Sequence, residues 1–354
     1  MRIKNNPKIF YLACGLLAEG DRRYDSGDAE ITALADKIRK VAVDANILQW
    51  FNLAKTGQVE VNPYWPRGHA MLMATLFMEE GSTLDIEPFV DFLEGVDMTD
   101  PIGREEFIEW IGRLPEILTY AEGVFRDFWK EYCSIMFVRT NSWMPEIETS
   151  RLPLKEFFAG NVPHLVLVPN LFAGPYAADF VCCFENTVIL VACKPDVESM
   201  LAKALHDKVV EHRGKIDGFA RRHSIAAFAD YDKMKDLGYT QDDDPAQTGR
   251  IIEECFVRAL STILSGGGEG RMQVHIKCGF VGLPIIAEHF ARHRPKAENL
   301  GVFISGVLKD MTPPEPAEKP PKKKKESKKE TKKESAKENK NEVKLEADQD
   351  DNDN

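Results

Sequence analysis

The sequence predicts an α+β protein in which a mainly helical N-terminal half packs on a half with a small antiparallel sheet and long helices, followed by a disordered C-terminal tail. Three observations predict it. Apolar residues recur at helical spacing through residues 1–145, three short β-type runs follow between residues 164 and 192, and every core-forming pattern stops at Pro313. With 354 residues, 43% of them hydrophobic, the chain can bury a core without disulfide or metal support. The expected organisation is a helical part over 1–145, an α+β part over 146–312 that is open to being continuous with it, and a Lys/Glu-rich tail over 313–354.

The first helix is carried by Ile9, Leu12, Ala13, Leu16 and Leu17. Arg2, Lys4 and Lys8 before Ile9 to Cys14 imitate a signal peptide, but the apolar run is short and the helical stripe continues past it. Asp28 caps a second helix, striped by Ile31, Leu34, Ile38 and Val41 and ending near Gly57. Asp100-Pro101 reads as the start of a third, with Pro115 kinking or dividing it and Trp110, Phe125, Trp129 and Phe137 as packing residues. The β-type runs His164–Val168, Phe180–Phe184 and Thr187–Ala192 suggest an antiparallel meander. Asp196 then caps one long amphipathic helix that reaches Phe219, and another helix spans Thr248 to Leu264. Met272 to Phe280 reads as a strand, Pro284 to His293 as a helix and Val302 to Leu308 as a last apolar element.

The net charge of -11 belongs wholly to residues 1–312, which hold 34 basic against 45 acidic groups. That argues against nucleic-acid binding by the body, which needs clustered basic groups. The tail is neutral but polarised: Lys319 to Lys340 holds 11 Lys and 4 Glu, and residues 341–354 hold 1 Lys and 6 acids. Its Lys-Lys-Glu-Ser/Thr repeats predict a solvated segment, with Ser327, Thr331 and Ser335 as conceivable phosphorylation sites and the basic block as an electrostatic contact. No apolar run is long enough for a membrane span. The seven cysteines form no C-x-x-C pair, which suits reduced thiols in a cytoplasmic protein.

Meander, long helix, loop, then a helix bearing a glutamate is the order by which zincin metallopeptidases hold zinc. Pro163-His-Leu-Val-Leu-Val-Pro-Asn170, Lys208-Val-Val-Glu-His-Arg-Gly-Lys-Ile216 and Glu254-Cys-Phe-Val-Arg-Ala259 resemble a prokaryotic family of zincin-like domains of unknown function. The resemblance implies a zincin-like fold for the second half and puts Glu254 at the third zinc ligand. It also puts Ser199, Met200 and Lys203 where the family has His, Glu and His. None of these three can do that work: zinc takes imidazole or anionic ligands, the base must be a carboxylate, and an ammonium repels the ion. A shifted register, with His206-Asp207 imitating His-Glu, fails at Val210. The expectation is a vestigial site in which Lys203 replaces the metal and pairs with Glu254.

His206 shares a face with Ser199 and Lys203 and is a candidate cleft residue, His212 lies on the apolar stripe, and Arg258 stands one turn from Glu254 to orient its carboxylate. His289 and His293 have metal-pair spacing but are crowded by Arg292, Arg294 and Lys296, so a solvated helix end is expected. Gly266–Gly270 lacks the strand and lysine of a phosphate loop, and Asp242–Asp244 reads as a loop cluster. The leading expectation is a non-catalytic, zincin-derived binding or scaffold protein without a cofactor, engaging a protein partner. The alternatives are a zinc-dependent hydrolase or peptidase built from His206 or His212 with Glu254, and a nucleic-acid-associated protein acting through its basic tail segment.

Overall fold

The computed structural model describes residues 1–20, 28–56, 66–78, 84, 89, 104–173, 180–184, 186–237 and 245–312. In chain order they form β1 (Arg2–Ile3), α1 (Pro7–Ala18), α2 (Ala29–Ile38), α3 (Ala45–Thr56), α4 (Pro66–Phe77), α5 (Arg104–Gly112), α6 (Leu114–Thr149) and α7 (Arg151–Phe157). There follow β2 (His164–Pro169), β3 (Phe180–Phe184), β4 (Thr187–Ala192), α8 (Val197–Val210), α9 (Arg213–Ala220) and α10 (Tyr231–Asp236). The chain continues through α11 (Pro245–Ser265), α12 (Gly268–Lys277), α13 (Leu283–His293) and α14 (Leu300–Asp310). Among the described residues no helix is long and apolar enough to cross a membrane. The tail expected to be disordered, the Asp100-Pro101 helix start, Gly57 and Asp242–Asp244 lie outside the described residues.

The sheet is mixed, which corrects the antiparallel meander. Its order is β1-β2-β4-β3, with β1, β2 and β4 parallel and only β3 antiparallel to β4. The hairpin β3–β4 is formed as local sequence suggests. But β4 inserts between β3 and β2, a long-range choice that the runs themselves do not encode. β1 is an edge strand that the two-residue run gave no signal for, and α1 to α7 form the crossover from β1 to β2.

Both faces of the sheet are covered, which is why β2 and β4 read as continuous apolar runs. Val168 and Val191 belong to one core, with Val166 and Ile189 packed against it; that core is built mainly from α1 to α6 together with Leu171, Phe172 and Ala173 after β2. Leu165, Leu167, Val188 and Leu190 point into a second core, built from α7 to α14. Met1–Pro313 is one compact unit.

Local chemistry explains the well-formed ends. The Asn6 side chain accepts hydrogen bonds from the Lys8 and Ile9 amides and Pro7 opens α1, whose residues Ile9 to Leu17 are all buried. Asp28 caps α2 in the same way. Tyr132 on α6 ties the first core to the sheet: its hydroxyl donates to Pro169 O at 3.1 Å and accepts from Leu171 N at 3.0 Å. Trp50 and Trp110 join α3 to α5 by stacking at 4.9 Å, each indole N–H donating to the other residue's carbonyl.

Several expectations are corrected. The helix capped by Asp28 does not run to residue 57 but stops at Ile38 and restarts at Ala45. The long helix after Asp196 breaks at Glu211-His212, although Val209, Ile216 and Phe219 keep one buried stripe across the break. Met272 to Phe280 is not a strand: Met272, His275 and Ile276 are half-buried while Gln273, Val274 and Lys277 are exposed, a helical period that forms α12. Phe137 is 69% exposed, whereas Trp110 and Phe125 are buried. Pro115 divides α5 from α6 and sits in the first turn of the latter.

Candidate functional site

Helices α8 and α11 pack side by side. On α11, Glu254, Arg258 and Thr262 stand at i, i+4 and i+8, so they form one stripe. The Glu254 carboxylate, 36% exposed, meets the Arg258 guanidinium at 2.7 Å. Arg258 also lies over the Phe280 ring at 4.3 Å and reaches His275 Nδ1 on α12 at 3.1 Å.

His275 continues the line: its Nε2 is 2.5 Å from Glu198 Oε1, in the first turn of α8. Thr262 donates to the same oxygen at 2.8 Å, and Arg271 approaches Glu198 Oε2 at 3.6 Å. The tautomer follows from donor inventory. A guanidinium only donates, so His275 Nδ1 accepts and the ring proton sits on Nε2, directed at Glu198. Both ring nitrogens of His275 are thus engaged, one by Arg258 and one by Glu198.

Glu198 is 8% exposed. Burial by itself would raise its pKa, but hydrogen bonds from His275 and Thr262 and the charge of Arg271 outweigh that and hold it below the ordinary carboxylate value. The positive end of α8 acts in the same direction.

The residues singled out by sequence are dispersed into structural roles. Ser199 is occupied in capping, its N–H on Asp196 Oδ1 at 3.1 Å and its hydroxyl on Oδ2 at 2.8 Å. Met200 is completely buried in the second core. Lys203 is half-buried and does not pair with Glu254, which corrects the expected ion pair; Arg258, one turn away on the same helix, supplies the cation instead. His206 is exposed beside Asp207 at 3.3 Å. His212 precedes α9, its ring so close to Gly301 of α14 that a Cβ there would lie 2.7 Å from Cε1. Arg292, His293 and Arg294 are exposed, the solvated helix end that the sequence predicts, but His289 itself is buried, with Nε2 3.1 Å from Asp310 Oδ2.

Ser199, Met200 and Lys203 do not fit a zinc ion: one is tied to a helix cap, one is core, and one is a cation. Among the described residues no three His, Cys, Asp or Glu side chains gather as a metal site.

Sequence reasoning missed Glu198, His275 and Glu253. Glu253, beside the residue that drew attention, has a side chain 4% exposed and takes a two-pronged hydrogen bond from Arg213 at 2.7 and 2.8 Å. No protein-family model, curated protein or solved structure matches this chain.

Proposed function

We propose that this chain is a non-catalytic binding or scaffold protein of zincin-like layout, in which the metal centre has been replaced by a polar cross-link between α8, α11 and α12. The observation that carries the reading is Glu254: the carboxylate at the third-ligand position is held by Arg258, whose other contact leads through His275 to Glu198. A carboxylate neutralised this way is a poor metal ligand, and the neighbouring α8 positions offer serine, methionine and lysine. A cytoplasmic setting belongs to the same proposal, supported by the five free thiols among the described residues.

The deciding experiment is metal analysis of the purified protein and of Glu254→Ala. Neither is expected to carry stoichiometric metal. Stoichiometric zinc in the parent that disappears in Glu254→Ala overturns the proposal and restores a hydrolase.

A further inference from the structure

Helix α12 is held by polar contacts more than by burial. None of its ten residues is buried; Met272 and Ile276 are half-buried, and Met272 packs against the second core. Glycines in the left-handed region bound it on both sides, Gly266 at φ 76° and Gly268 at φ 61° where it begins and Gly279 at φ 100° just after it ends. A helix hung between such turns with so little buried area belongs to the low-stability end of a fold.

Two polar side chains of α12 turn toward α8 and α11. Arg271 lies 3.6 Å from Glu198 Oε2, while His275 sets Nε2 2.5 Å from Glu198 Oε1 and Nδ1 3.1 Å from the Arg258 guanidinium. The two bonds of this imidazole respond oppositely to a proton. A guanidinium has only N–H groups to offer, so the bond to Arg258 needs the lone pair on Nδ1. An imidazolium has no lone pair: a donor then faces a donor, and a second positive charge lies beside the first. Toward Glu198 the same proton is favourable, because Nε2–H stays in place and the contact becomes an ion pair.

The charges around the ring leave it this choice. Among the described residues Arg258 faces it from α11 and Glu198 from α8, Arg271 stands one turn away on α12 itself, and Glu254 reaches it only through Arg258. On α13 the first charge is Glu288, which is held by Arg292 at 2.6 Å. Beside Gly279, Asp230 uses its carboxylate to cap α10. Glu198, held below the ordinary carboxylate value of 4.5, stays ionised in mild acid.

We propose that His275 is a proton-operated latch between α11 and α12: a proton on Nδ1 ends its bond to Arg258 while Nε2 stays on Glu198, so α12 loosens from α11 without leaving α8. Arg258 then keeps Glu254 as its partner. The latch is independent of the scaffold reading, since the same contacts respond to a proton whatever the chain binds.

The test is hydrogen exchange of the full chain, read by mass spectrometry at pH 7.5 and 5.5, a span in which imidazoles titrate, and divided by the intrinsic exchange rate at each pH. Protection of α12 should fall at least about five-fold at pH 5.5, with α8 and α11 unchanged. Arg258→Met removes the opposing donor and His275→Gln removes the titrating ring; in both, checked for folding by circular dichroism, α12 protection should be the same at the two pH values. Nitrogen-15 spectra of the imidazoles should show Nδ1 of His275 without a proton at pH 7.5. Equal α12 protection at both pH values in the parent, a loss shared by every helix, a pH effect that persists in either variant, or a protonated Nδ1 at pH 7.5 overturns the proposal.

Discussion

The shortest charged contact between α8 and α12 joins His275 Nε2 to Glu198 Oε1 at 2.5 Å, while the other ring nitrogen accepts from Arg258. One imidazole thus fixes the spacing of three helices, because α11 contributes both Arg258 and Thr262 to the same cluster. Buried polar clusters of this kind hold only when each member keeps its partner.

Glu198→Gln keeps the shape of the side chain and removes the charge, and should cost about 1–3 kcal/mol at neutral pH. The folded-state pKa of Glu198 lies below its unfolded value, so its contribution is fully present above the ordinary value of 4.5 and is lost as pH falls through the lower folded one. Urea midpoints of parent and variant should therefore differ at pH 7 and converge toward pH 3. Equal midpoints at pH 7 would show that the charge contributes nothing.

Arg213 and Glu253 give a second, independent expectation. Glu253 is nearly fully buried and its fork with Arg213 spans α9 and α11, whereas the Arg213 side chain is 44% exposed. Arg213→Ala leaves a buried carboxylate without its cation and should cost about 2–3 kcal/mol, less than for a fully enclosed pair because solvent reaches the guanidinium. Adding Glu253→Leu should recover most of that loss. A double variant as unstable as the single one would place the effect in packing instead.

What the sequence made legible follows from distance along the chain. Helices α1, α2 and α13 announce themselves because their apolar stripes, and for α2 the Asp28 cap, act within one or two turns, whereas α14 reads only as an apolar element. Glu254 and Arg258 are visible together for the same reason, being one turn apart. Strand order is not, because the placement of β4 beside β2 is decided by two cores that assemble from opposite ends of the chain. Glu198 and His275 are 77 residues apart, and the apparent alternation of Met272, Val274 and Ile276 hides the helix that presents the histidine. Glu253 escaped notice because only burial separates it from its neighbour Glu254.

Gly15 sets how closely α1 and α3 approach. A Cβ built there would lie 2.0 Å from the Phe51 ring, which is itself fully buried. Gly15→Ala forces the ring or the helix to move and should cost about 1–3 kcal/mol despite alanine's better helix propensity. A lowered Tm is expected for Gly15→Ala, with partial recovery when Phe51→Leu is added. Recovery of nothing would mean that backbone displacement, not the ring, carries the strain.

Cys14 and Cys255 are both fully buried, and burial drives both thiols well above the ordinary range. Cys255 additionally lies 3.3 Å from Phe228 O, where its S–H donates. The thiolate is the nucleophile that attacks a thiol reagent, so neither residue should react while the protein is folded, whatever the pH between 7 and 9. The check is a difference, because other cysteines contribute to the total. Cys255→Ser and the parent should release the same amount of chromophore from an aromatic disulfide reagent under native conditions, and differ by one equivalent in guanidinium. A native difference of one equivalent would mean that the α11 face carrying Cys255 opens readily, and the tight packing of α11 against α8 on which the Glu198 cluster rests would then have to be abandoned.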